Sequence, residues 1–351
     1  MPLRPGDVRD AHAAIASVDS LIRRRRATYS AVLELVAGPT AGDDVDLLDS
    51  PVARAHLGEV IGGQATYSPS AMVPLSDLLG DVQQIAARQL ARTALSGACR
   101  RIAGELGRYG DDADSIRLVL AEAPTFDEAA RRVVEGVRLA VQLCPELADD
   151  LLPHVALFAI VEQRGQRLGS ASVREYPGLI VVPEPGSAIE VAEALIHEGA
   201  HQKLFDLATT CSILDPAAAS APTFAPPWAD PSAAPWPFEQ VLAAFHAYTC
   251  LAAFMGSIEA DGSIERHEFS LLPQADTRAA TLADWLVCNS KYLAPDGLRF
   301  VAMLSRTDMP SLSPSTSSGI ATRDCGELTL VAHKNDAAES IDLMWLPLQK
   351  A

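Results

Sequence analysis

His197-Glu198-Gly199-Ala200-His201 is the segment of this sequence most able to do chemistry. Histidines four residues apart lie one above the other on a helix face, so both imidazoles can reach one metal ion. Glu198, one residue on, points to the side of that face and can serve a metal-bound water or the metal's surroundings. A third ligand has to come from elsewhere. His246 is the first choice, because it lies in an otherwise apolar helical segment, Phe238 to Tyr248, where an imidazole needs a partner. Glu239, seven residues earlier on the same face, is the carboxylate alternative; Asp215 and Asp230 follow.

The elements that must position these groups are legible nearby. Leu179-Ile180-Val181-Val182 reads as a short buried strand after the turn Pro177-Gly178, and it is closed by Pro183-Glu184-Pro185-Gly186. Ser187 and Glu190 match a capping box, which predicts a helix from about 188 to 208. Residues 215 to 237 hold seven prolines and read as a long irregular connection. Trp228 and Trp236 lie in it, either lining a peptide groove or anchoring the loop. Helix is expected again over 238–258 and 279–293.

Elsewhere, 8–36 reads as a helix pair or one broken helix, 37–75 as loop, and 74–168 as a helical layer. The tail suggests a final hairpin. The expected fold is mainly α with a small β component, divided as 1–170, a metal-site region 171–300, and a tail 301–351. The net charge of -17 disfavours nucleic-acid binding. The basic run Arg23 to Arg26 reads as a solvated helix face. Six scattered cysteines without a CxxC pair fit buried thiols. With no apolar leader and no uncharged apolar run of membrane length, a cytoplasmic protein without membrane contact is expected. Oligomeric state is open.

Two metal chemistries suit the motif. In a zinc peptidase Glu198 would deprotonate the metal-bound water. The compact metzincin pattern is excluded, because Leu204 and Leu207 stand where it needs Gly and His. The wider segment resembles the HExxH-type, 2-oxoglutarate-dependent peptide β-hydroxylases of ribosomal peptide natural-product clusters. The resemblance lies in Pro177-Gly178-Leu179-Ile180-Val181, in Leu195 to Leu204 around the motif, and in Ala225-Pro226-Pro227-Trp228-Ala229-Asp230-Pro231 followed by Val241 to Tyr248. It covers about residues 170 to 260. It implies iron(II) held by His197, His201 and His246, a role for Lys203 towards 2-oxoglutarate, and a peptide or amino-acid-like substrate. Gly199-Ala200 replaces a bulkier, more polar pair, and Ala229 stands where the family has Arg. Lys203, two residues beyond His201, points roughly 200° around the helix from it. Arg174 and Arg306 are the other cations available for a distal carboxylate. His12, His56, His154, His267 and His333 have no informative spacing.

Overall fold

The computed structural model describes residues 3–38, 44–79, 93–103, 117–121, 125–164, 170–229, 234–262, 270–307, 332–334 and 341–343. The chain is mainly α with a small β component, as expected. Its helices are α1 (Pro5–Ala13), α2 (Val18–Ala37), α3 (Val45–Asp49), α4 (Pro51–Ile61), α5 (Leu75–Leu79), α6 (93–103), α7 (Thr125–Leu143), α8 (Pro145–Leu151), α9 (Ala188–Thr210), α10 (Phe238–Asp261), α11 (Leu272–Cys288) and α12 (Pro295–Ser305). Strands β1 (Arg117–Leu120), β2 (Leu157–Arg164) and β3 (Leu179–Pro183) form one sheet, with β2 antiparallel to β1 and parallel to β3. Two short strands, β4 (Ala332–Lys334) and β5 (Ile341–Leu343), pair antiparallel near the C-terminus.

Two expectations need correction. Residues 37–75 are not simply loop: Asp44 and Ser50 cap α3 and α4, with Pro51 opening the latter. Both side chains accept from free helix N–H groups, which is enough to start such short helices. The 74–168 layer is interrupted by β1 and β2. Leu157-Phe158-Ala159-Ile160-Val161 is an apolar run that pairs on both edges rather than coiling.

The metal-motif helix α9 is central. Its start is the capping box: Glu190 N–H donates to Ser187 Oγ at 3.4 Å, and Ser187 N–H donates to the Glu190 carboxylate at 3.1 Å. The main core packs α9 and α10 against α1, α8, α11 and α12, with Leu195, Ile196, Val241, Phe245, Phe254, Phe300 and Val301 almost wholly buried. This core draws on residues from Val8 to Leu304. α10 is long and apolar enough by composition to cross a membrane, yet 78% of its most apolar window is buried inside the fold.

Two glycines set close approaches. A Cβ on Gly136 of α7 would lie 2.7 Å from the Ala188 carbonyl, so α7 can seat on the first turn of α9 only without one. Gly199 is packed against α8: a Cβ there stands 3.2 Å from Leu151 Cβ. With Ala200 also fully buried, this packing accounts for the small pair inside the motif.

Candidate metal centre

α9 brings His197 and His201 together. Their Nε2 atoms are 3.2 Å apart, and the rings meet edge to face. Two imidazoles bound to one ion at about 2.1 Å, with an angle between 90° and tetrahedral, place their nitrogens about 3.0–3.4 Å apart, so the spacing fits a shared metal. The donor chemistry fits as well. Burial first, and the Arg278 charge second, push His197 down to about 4; burial and the neighbouring His197 do the same to His201. Both are therefore neutral ligands at ordinary pH. His197 Nδ1 is buried and without a hydrogen-bond partner.

Glu198 completes a group in which all candidate ligand atoms lie within 4.8 Å of one another. Its carboxylate is buried and fixed by two hydroxyls: Ser170 donates to one oxygen at 2.8 Å and Ser172 to the other at 2.6 Å. These serines precede β3, and Ala171 between them bridges to Val181. The strand expected before the helix thus holds Glu198 in place as well as leading the chain into the motif. Gln202 ties the same helix to the start of β3, donating to the Leu179 carbonyl at 3.0 Å and accepting from Gly178 N–H at 2.5 Å.

His246 is buried on α10, as expected, but it does not join this group. Its Nε2 lies 2.8 Å from His12 Nε2 on α1, and its candidate ligand neighbours are His12 and Cys250. Glu239, half-buried at the head of α10, is outside the group as well; Asp230 lies outside the described residues. Asp215 caps a 3₁₀ turn, accepting from Ala217 N–H.

Lys203 is also placed otherwise than expected. It is wholly buried, and its ammonium lies 2.6 Å from an Asp150 carboxylate oxygen, on the side of α9 turned away from the pair. It is therefore not available to a bound carboxylate. Arg174 pairs with Glu175 and Arg306 with Asp7, both at the surface. Arg25 corrects the reading of the basic run: it is buried, and it binds Asp206 at 2.6 Å and Asp49 at 3.0 Å.

The cation that does stand by the metal pair is Arg278 of α11, which no spacing argument singled out. It donates to Tyr248 Oη at 2.6 Å, and its guanidinium lies 5.2 Å from the Trp228 ring centre and 5.3 Å from that of Tyr248. The Tyr248 ring in turn lies 6.1 Å from that of His197. Among the described residues Arg278 has no carboxylate partner, although the chain is strongly acidic. Trp228 contributes both to this cluster and to anchoring the proline-rich loop, through ring contacts with Phe224 and Trp236. A backbone bridge between Phe224 and Trp236 closes that loop.

The histidine pair, the Glu198 carboxylate and the Arg278 guanidinium therefore share one edge of the α9–α10–α11 core. No family model matches the chain, and neither does any curated protein.

Proposed function

We propose that this protein is an iron(II)- and 2-oxoglutarate-dependent oxygenase that hydroxylates a peptide or amino-acid-like substrate. His197, His201 and Glu198 would hold the metal, and Arg278 would receive a carboxylate of the co-substrate. The observation that carries the reading is Arg278, a guanidinium with no carboxylate partner among the described residues, framed by Trp228 and Tyr248 beside a two-histidine, one-carboxylate group. That donor set is the one non-haem iron oxygenases use, because it leaves coordination positions open on one face. Iron(II) with 2-oxoglutarate would supply the chemistry, oxidising a C–H bond to C–OH with dioxygen while the co-substrate is decarboxylated to succinate. The chain's own contribution is positional. The two serines fix Glu198, burial keeps both imidazoles neutral, and Trp228 and Tyr248 hold Arg278 beside the histidine pair, where its charge can meet a carboxylate. In this arrangement Arg278 takes the part that Ala229 leaves vacant in the resemblance, and Lys203 has none.

A second reading, a zinc hydrolase, rests on the same Glu198. A carboxylate fixed by two hydroxyls beside the histidine pair is also how a base for a metal-bound water would be held.

Protein purified without oxygen, loaded with iron and given 2-oxoglutarate separates the two. The oxygenase reading expects oxygen uptake with matching succinate, and it expects Glu198→Gln to weaken metal binding by at least about 10-fold, the lower end of what even outer partners contribute. Retained metal and abolished peptide hydrolysis in Glu198→Gln, with no succinate from the wild type, would establish the hydrolase instead. Arg278→Met should raise the co-substrate KM by about 10–100-fold, the worth of a hydrogen bond to a charged group, while metal content stays unchanged. Steady-state kinetics at saturating iron read this directly, and an unchanged KM would remove Arg278 from the site.

A further inference from the structure

The polar cluster behind α9 lies outside the site described above. It joins His12 of α1 to His246 and Cys250 of α10, the latter two one helical turn apart. All three are wholly buried, and their ligand atoms lie within 4.8 Å of one another.

The placing of the ring nitrogens decides what this cluster can be. Asp150 lies 2.5 Å from His12 Nδ1, and its other oxygen takes Lys203. An ionised carboxylate only accepts, so His12 carries its proton on Nδ1 and presents a lone pair at Nε2. His246 turns its own Nε2 to that lone pair, 2.8 Å away in a buried place. His246 Nδ1 is buried and has no hydrogen-bond partner among the described residues.

We propose that His12, His246 and Cys250 form a second, structural metal site for a zinc-type divalent cation. Two imidazole nitrogens and a thiolate suit such an ion. Asp150 orients His12 from behind, as carboxylates behind metal-bound histidines do. Burial first and the Asp150 charge second hold the Cys250 thiol well above its ordinary value, with the Lys203 charge opposing them, so binding would have to displace its proton. The bound ion would pin the N-terminal helix α1 to the core helix α10. The inference does not depend on what the His197–His201 group does.

Cobalt(II) is the probe, because a thiolate bound to it gives a near-ultraviolet charge-transfer band that imidazoles and carboxylates do not. The full-length wild type, stripped of metal and titrated with cobalt, should show that band. Cys250→Ser should remove the band and lower the zinc bound at saturation by about one equivalent relative to the wild type. A His197→Ala/His201→Ala double variant should keep the band. Should Cys250→Ser not fold, His12→Gln carries the same expectation. A folded wild type without the band, or a band that survives in Cys250→Ser, overturns the proposal.

Discussion

His201→Ala is expected to weaken divalent-metal binding at the α9 site by about two orders of magnitude while the protein stays folded, and His197→Ala the same. Structural zinc sites with four ligands bind with roughly 10–16 kcal/mol, or about 3 kcal/mol per ligand, and loss of one ligand from a smaller set is at least as damaging. The fold does not rest on these rings. His197 Nδ1 is buried without a partner, so truncation removes an unsatisfied polar atom along with the ring contacts. The helix is held instead by its capping box, by Gln202 on β3, and by Lys203 and Asp206 on the opposite side. Metal titration of each variant, with circular dichroism as the control for folding, checks both halves. Unchanged affinity in either variant would show that the metal sits elsewhere.

What the sequence revealed of this site is what was local. The capping box, the strand before it and the i,i+4 histidines all lie within some thirty residues, and each is a spacing rule that the backbone enforces. Helices α7, α9 and α10 were legible for the same reason, since long segments average over many apolar positions. Short elements were not. α3 and α4 rest on caps inside a Gly-, Asp- and Pro-rich stretch, and β2 is an apolar run that periodicity alone does not separate from a buried helix. α11 begins at Leu272, earlier than the apolar pattern suggested, because Pro273 fits its first turn.

The partners of single polar residues were the least legible. His12 meets Asp150 across 138 residues and His246 across 234, and Arg278 reaches Tyr248 across 30. No motif encodes such pairings. An indirect signal did exist for some of them: Lys203 and Asp206 fall on a helix otherwise apolar enough to be buried on nearly every side, and a buried charge requires a countercharge. That reasoning points to Asp150 and Arg25 as a class of partner, though not by number. It also separates the two uses of α9. One edge carries neutral, metal-seeking groups, and the opposite face carries charges that fix the helix to α2 and α8.

The same buried charges give the largest stability effect expected. Asp206 accepts from Arg25 Nη1 at 2.6 Å and lies 2.6 Å from His154 Nδ1, and all three are almost wholly buried. Asp206→Ala leaves a buried guanidinium with Asp49 alone and a buried imidazole with no acceptor for Nδ1. Breaking a buried pair from one side costs about 3–5 kcal/mol, a large part of a typical domain's 5–15 kcal/mol. The effect should carry a pH signature that simple loss of packing would not. Burial raises Asp206, but the His154 hydrogen bond and the Arg25 charge outweigh it, so the carboxyl sits below its ordinary value. The stability it confers is present above the ordinary carboxylate range and is lost as pH falls through its lowered value. His154 is lowered chiefly by burial, against the pull of Asp206, so the unfolded chain takes up a proton below about 6.5 that the folded chain refuses. Removing Asp206 takes away the group that supports a charged His154 and widens that gap. Denaturant titrations should therefore show the variant less stable near pH 7, and losing stability faster than the wild type between about pH 7 and 5. Curves that differ by a constant offset across that range would mean that Asp206 acts through packing and not through its charge.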